Sequence, residues 1–310
     1  MGWVLGVDTS NYTTSTALYC PETGAMLQQK RLLPVKAGEL GLRQSDALFA
    51  HVKALPELME ALFAEAPGAK VEQVAVSVRP RPVEGSYMPC FLAGESAAAS
   101  VAAALGAPLY RCSHQEGHIA AALYSAGRLE LLKGELIAFH LSGGTTEAVL
   151  VSPEGEGLSI RRLAGSLDLK AGQAVDRVGG MLGLAFPAGR ALEELALQSS
   201  RVYDPRPSMK GADCSLSGIQ NQCEKRLAEG EPPCDVARFC LDSVYAALAA
   251  MTQQVRKICP GRPLLYAGGV LSNRIIRERM APFGGVFGLP DFSRDNAAGV
   301  AVLAAQRCCD

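Results

Sequence analysis

The chain has 310 residues, too many for one small module and suited to two lobes of roughly 100–200 residues each. Hydrophobic residues at 48% and charged residues at 20% exclude a disordered chain and supply apolar material for sizeable cores, which predicts a soluble globular protein. Lysine and arginine number 30 against 31 acidic residues, so the net charge of −1 announces no nucleic-acid partner, and such a role would rest on local patches or other subunits.

The first residues, Met1 to Asp8, lack a basic n-region, and their apolar stretch stops at Asp8, so no export signal is expected. Val4 to Tyr19 reads as an apolar strand, a small polar turn holding Ser10, a Thr-Thr pair and a second apolar strand, which is the pattern of a β-hairpin. Asp46 to Ala64 has helical apolar spacing; Val71–Val78 and Pro108–Arg111 read as strands flanking an Ala-rich helix at Gly94–Leu105. Leu136 to Val151 then repeats the opening hairpin at an offset of 132 residues, with Ser142 in its turn and its own Thr-Thr pair. A strand at Leu158–Ala164 follows, with helices near Gly189–Ser199, Ser217–Glu229 and Asp235–Lys257. A strand at Pro263–Tyr266 enters Ala267-Gly-Gly-Val270, and a last helix runs from about Asn296 to Arg307. The alternation and the duplicated hairpin predict a two-lobed α/β protein with a ligand cleft between its lobes. The expected first lobe is 1–110, joined by a C-terminal helix at 290–310, and the second is 111–289. Apolar runs such as Ala297–Ala305 fall short of the ~18 residues of a membrane span, so no membrane role is expected. The ten cysteines include no Cys-x-x-Cys pair and read as reduced thiols of a cytoplasmic chain.

Of four histidines, His114 and His118 stand four apart, which on a helix puts both imidazoles on one face within reach of one metal ion; a chance surface pair would be spelled the same way. Glu116 between them points about 200° away at ~100° per residue, so it cannot serve as their general base, and metalloprotease chemistry is disfavoured. Asp295 precedes the last helix, where it could be an ordinary N-cap. Small hydroxyl and glycine residues at the two hairpin turns let backbone N–H groups approach phosphate oxygens, although hairpin turns favour these residues anyway. Ala267-Gly-Gly-Val-Leu-Ser-Asn273 permits close approach to a base or ribose, and Asp168 and Asp176 read as carboxylates of helix caps.

In order along the chain, Val4-Leu-Gly-Val-Asp8-Thr-Ser, His114-Gln-Glu-Gly-His118, Leu141-Ser-Gly-Gly-Thr145, Ala171-Gly-Gln-Ala-Val-Asp176 leading to Pro187-Ala-Gly189, Asp213-Cys-Ser-Leu-Ser-Gly218, Ala267-Gly-Gly-Val270 with Asn273, and Asp295-Asn-Ala-Ala298 resemble the tRNA adenosine threonylcarbamoyltransferases. That family was formerly labelled O-sialoglycoprotein endopeptidases and belongs to the actin-like, sugar-kinase and Hsp70 ATPase superfamily. The resemblance implies a two-lobed actin-like fold and a metal-dependent enzyme that transfers threonylcarbamoyl from threonylcarbamoyl-adenylate to the exocyclic amine of the adenosine beside the tRNA anticodon. It implies that His114, His118 and Asp295 hold one divalent metal, iron or zinc. It also implies that His140, Leu141, Ser142, Gly143, Gly144, Asp176, Gly189 and Asn273 contact the adenine nucleotide, and that proteins of a tRNA-modification complex are partners.

Three segments depart from the family pattern. Asn11-Tyr12-Thr13 replaces a Cys and two acidic residues, Arg79–Ser86 replaces a Gly-Pro-Gly loop, and Gln173 stands where Glu is usual. They are compatible with a divergent paralogue, so carbamoyl or phosphoryl transfer to another small acceptor, or nucleotide binding without catalysis, are the alternatives.

Overall fold

The computed structural model describes residues 2–10, 12–34, 42–292 and 297–307. Gly2–Ser10 forms β1 and Thr13–Tyr19 forms β2, paired antiparallel from Val4 with Tyr19 to Ser10 with Thr13. Of these residues only Trp3 is not fully buried, which is why neither strand shows the alternation of a half-exposed sheet. Onward run β3 (Met26–Leu32), α1 (Gln44–Glu65), β4 (Lys70–Arg79), α2 (Phe91–Leu105), β5 (Leu109–Ser113) and α3 (His114–Ser125). The second half comprises β6 (Leu136–Leu141), β7 (Thr146–Glu154), β8 (Gly157–Gly165), α4 (Ala171–Met181), α5 (Gly189–Ala196), β9 (Ser208–Lys210), β10 (Asp213–Ser215), α6 (Ser217–Ala228), α7 (Pro233–Ile258), β11 (Leu264–Ala267), α8 (Arg274–Met280) and β12 (Val286–Phe287). Helix α9 (Ala298–Arg307) closes the described chain.

Two compact units result. One comprises residues 1–129, 153–159 and 291–310, and the other 130–152 and 160–290, so the first unit runs past residue 110 through α3. Their five-stranded sheets have the orders β3-β2-β1-β4-β5 and β12-β11-β6-β7-β8. In each, an antiparallel hairpin is extended by two parallel strands on the side of its first strand, since β1, β4 and β5 are parallel, as are β6, β11 and β12. The duplication therefore spans whole sheets, with β6, β7, β8, β11 and β12 the counterparts of β1, β2, β3, β4 and β5.

In the first unit Leu5, Val7 and Leu18 pack against Leu55 and Leu62 of α1 and Ala93 and Ala98 of α2. The opposite sheet face receives α9. A Cβ on Gly6 would lie 2.5 Å from the Ala297 carbonyl oxygen, so glycine is what lets the helix approach β1. Helices α9 and α3 meet just as closely, because a Cβ on Gly299 would fall inside the van der Waals shell of the Gly117 carbonyl oxygen and 2.7 Å from Ala121 N. Gly299→Ala is expected to cost about 3 kcal/mol, the upper end of overpacking, because the obstructing atoms are backbone; a lowered urea midpoint checks it. In the second unit Ile137, Phe139 and Leu141 of β6 face Leu192, Ile219 and the long α7 in the core.

Between β2 and α1 lies a buried polar contact. Thr14 Oγ1 and His51 Nδ1 share a 2.7 Å hydrogen bond, and both residues are inaccessible to solvent. Burial pushes the imidazole pKa down to about 4 from its ordinary 6.5, against the raising effect of the Asp8 charge. The unfolded chain therefore takes up this proton near pH 6.5 and the folded chain only near pH 4, so stability is full above pH 6.5 and falls between the two values. The expected loss is about 3 kcal/mol, read as the difference between wild type and His51→Gln in urea denaturation at the two pH values.

Among the described residues all cysteines are free thiols, and no helix is long and apolar enough to cross a membrane.

Candidate functional site

In open α/β sheets ligands bind beyond the carboxyl ends of parallel strands. At that edge of the first unit stand Asp8 near the end of β1, Ser77 near the end of β4 and His114 directly after β5. Asp8 is fully buried, and its Oδ1 lies 3.0 Å from His114 Nδ1. The same oxygen accepts a short hydrogen bond from Ser77 Oγ, and Oδ2 accepts one from Ser10 Oγ at 2.7 Å. Helix α3 starts at His114 because Ser113 caps it: Ser113 Oγ accepts from Glu116 N at 3.2 Å while the Glu116 carboxylate accepts from Ser113 N at 2.6 Å. The expected helical spacing then sets the His118 ring 4.3 Å from the His114 ring, with planes at 73°. The other Glu116 oxygen accepts from Leu158 N at 2.9 Å, so this carboxylate is occupied with local structure. Asp295 lies outside the described residues, as do Asn11 and Asn296. Among the described residues no three His, Cys, Asp or Glu side chains gather as a metal set.

In the second unit the equivalent edge is formed by residues 140–145 after β6 and 267–273 after β11. The hairpin turn closes through Ser142 N donating to Thr145 O at 2.7 Å and Thr145 N donating to Ser142 Oγ at 3.1 Å. Helix α4 is docked on it, with Ala171 N donating to Thr146 Oγ1 at 2.8 Å and Gly172 N to Ser142 O at 3.1 Å. A Cβ on Gly172 would lie 2.5 Å from Gly143 N, whereas one on Gly143 or Gly144 would meet nothing within 4 Å. Both turn glycines are exposed, and among the described residues their N–H groups donate to no partner. Two successive exposed N–H groups of this kind are open to an anionic ligand. Gln173 Oε1 accepts from Lys170 N at 3.1 Å, a capping contact that glutamine makes as well as glutamate does.

Gly268 has φ +107°, and a Cβ there would collide with the Leu141 carbonyl and approach His140 Cδ2 to 2.9 Å, so the β11 turn lies directly on the end of β6. Asp176 Oδ1 accepts from Ala188 N at 2.8 Å, which joins Asp176 to the start of α5 and to Gly189. Asn273 caps α8 through Oδ1, accepting from Ile276 N at 3.1 Å, and the next residue, Arg274, donates its N–H to Glu193 of α5 at 2.9 Å. The structure thus brings His140 and Leu141 against Gly268, and arranges Asp176, Gly189 and Asn273 around α5. Asp168 is a cap, but of a distant helix: its carboxylate accepts from Leu216 N at 2.8 Å and Ser217 Oγ at 2.6 Å at the start of α6, and these hydrogen bonds, opposed by partial burial, hold its pKa below the usual carboxylate range.

A family model described as TsaD, tRNA N6-adenosine threonylcarbamoyltransferase, matches residues 39–302. The tRNA N6-adenosine threonylcarbamoyltransferase of Thermus thermophilus is 32% identical over 319 residues, covering 98% of this chain and 93% of the relative. The chain belongs to the tRNA N6-adenosine threonylcarbamoyltransferase family. The Streptococcus pneumoniae enzyme of that name is 33% identical over 240 residues, 74% of this chain and 68% of its own. By family the chain is a transferase of tRNA modification. Among solved structures, full-length HypF superposes with TM-score 0.60 at 14% identity, covering 99% of this chain and 46% of HypF, so the chain spans about half of that protein. Component A of the Acidaminococcus fermentans (R)-2-hydroxyglutaryl-CoA dehydratase superposes with TM-score 0.55 at 12% identity over 100% of both chains. These two likenesses concern the fold, and the mixed α/β class with a duplicated sheet expected from the sequence is the one found.

Sequence reasoning did not assign Ser77, which shares Asp8 with His114, or Gly172, which seats the 142–145 turn. Asp8 was visible as the acidic end of an apolar strand, but its partner is 106 residues away.

Proposed function

We propose that this chain joins a threonylcarbamoyl group from threonylcarbamoyl-adenylate to the N6 amine of the adenosine beside the tRNA anticodon, using a divalent iron or zinc ion. The carrying observation is the similarity to threonylcarbamoyltransferases over 98% of the chain. The new bond joins N6 to the carbamoyl carbon, the carbon–oxygen bond to the adenylate phosphate breaks, and one amine proton is released. The exposed N–H groups of Gly143 and Gly144 are suited to hold the leaving phosphate, while Asp176, Gly189 and Asn273 are the candidates for ribose and base.

Two adjacent imidazoles, one anchored by a buried carboxylate, are a donor set that fits iron or zinc, and Asp295 would complete it. Gly299, four residues after Asp295, sits on Gly117, the neighbour of His118, which supports that assignment. The ion would supply Lewis-acid polarisation of a carbamoyl or phosphate oxygen. Purified protein given metal, tRNA, threonylcarbamoyl-adenylate and candidate partner proteins of the tRNA-modification complex should yield the modified nucleoside on mass analysis. No product under those conditions would overturn the proposal. A cytoplasmic location accords with this chemistry.

For tRNA, the segment 79–87 is our docking element. Arg79, Arg81, Val83 and Tyr87 are all exposed there, combining charge with surface on which an unstacked base can lie. Arg79→Ala with Arg81→Ala should weaken tRNA binding and lower its salt slope by about 2 while adenine-nucleotide affinity stays unchanged; titrations at several salt concentrations check both.

A further inference from the structure

We infer that Asp8 is a positioning residue that fixes His114 as an Nε2 metal ligand; the inference rests on the metal reading above. An ionised carboxylate can only accept hydrogen bonds, so the proton of the 3.0 Å contact sits on His114 Nδ1. Neutral His114 is then the Nδ1–H tautomer, and its lone pair is on Nε2. The carboxylate itself is held from two sides. Ser77 from β4 donates to Oδ1, the oxygen that receives the imidazole, and Ser10 at the end of β1 donates to Oδ2 at 2.7 Å. With both oxygens receiving protein donors and no exposed surface, Asp8 is built to orient a ligand rather than to be one. It also strengthens Nε2 as a donor, since the partial positive charge that metal binding would place on Nδ1–H faces a carboxylate.

The ring has little freedom otherwise. His114 is the first residue of α3, where one backbone turn has not yet closed around it, so its hydrogen bond to Asp8 of β1, with the Phe91 ring 6.2 Å from its own, orients the imidazole. His118, one turn later, lies edge to face with it at 4.3 Å, so the orientation of His114 decides whether both rings can serve one ion.

Zinc-loaded wild-type protein, labelled with nitrogen-15, should show His114 with Nδ1 protonated and Nε2 metal-bound in long-range proton–nitrogen correlation spectra. Asp8→Asn, nearly isosteric, should weaken Zn(II) binding 10–100-fold in competition with a chromophoric chelator and alter the visible band of the Co(II)-substituted protein. The metal-free thermal midpoint of the variant serves as the folding control. A folded Asp8→Asn protein with unchanged Zn(II) affinity and Co(II) spectrum would overturn the positioning role alone. So would Nδ1 coordination of His114 in the wild type, which decides the matter even where the variant does not fold. Wild-type protein that binds Zn(II) without perturbing either histidine would overturn the metal reading, and this inference with it.

Discussion

His118→Ala is expected to bring bound metal to background and to lower threonylcarbamoyl transfer at least about a hundredfold, with the thermal midpoint little changed. The ring is partly exposed near the start of α3, so truncating it removes a donor without opening the core. His114→Ala should lose metal just as completely but also lose stability, because it strips a partner from the fully buried Asp8 carboxylate. Glu116→Gln is the discriminating control. Glutamine keeps one acceptor for Ser113 N, gives up the one for Leu158 N and faces away from the histidines, so some stability should be lost while metal content stays at the wild-type level. Elemental analysis of the three purified variants beside the wild type checks the set. Full metal in His118→Ala would remove that histidine from the site, and loss of metal in Glu116→Gln would make the glutamate more than a cap.

What the sequence disclosed of this arrangement was whatever repeats or stays local. The two hairpins share spelling, so the duplication was legible at 4–19 and 136–151, and the helical reading of His114 and His118 needs only their spacing. The rest of the duplication was hidden because β4 and β11 are matched by topology and not by letters: Val71-Glu-Gln-Val-Ala-Val76 and Leu264-Leu-Tyr-Ala267 share only burial. Strand β3 escaped notice because it is an edge, where Gln28, Gln29, Lys30 and Arg31 replace the apolar alternation that marks a strand. Long-range polar pairs were invisible for a different reason. Asp168 spells a cap for the helix that follows it, yet its oxygens reach Leu216 and Ser217, 48 and 49 residues away. Thr14 with His51 and Asp8 with His114 are likewise products of which strands and helices become neighbours, which no local pattern encodes.

Around the 142–145 turn, substitutions at two glycines in the same small region should fail in different ways. At Gly144 an added Cβ meets nothing within 4 Å, so Gly144→Val should fold with a near-normal thermal midpoint. Its side chain would nevertheless occupy the space above the two unpaired N–H groups, and adenine-nucleotide binding should fall at least about a hundredfold through loss of the phosphate contacts. Gly172 lies beneath the same turn. There a Cβ would press 2.5 Å from Gly143 N and 2.7 Å from the Ser142 carbonyl carbon, forcing α4 and the hairpin apart and breaking the hydrogen bonds from Ala171 N and Gly172 N. Gly172→Ala should therefore lose both stability, by about 2–3 kcal/mol, and nucleotide affinity. Calorimetric titration with an adenine nucleotide and urea denaturation of the same two proteins separate the cases. Tight binding by folded Gly144→Val would move the phosphate away from this turn. A Gly172→Ala protein as stable as the wild type would mean that α4 can retreat from the turn without cost, and that the close packing seen here does not hold the turn in place.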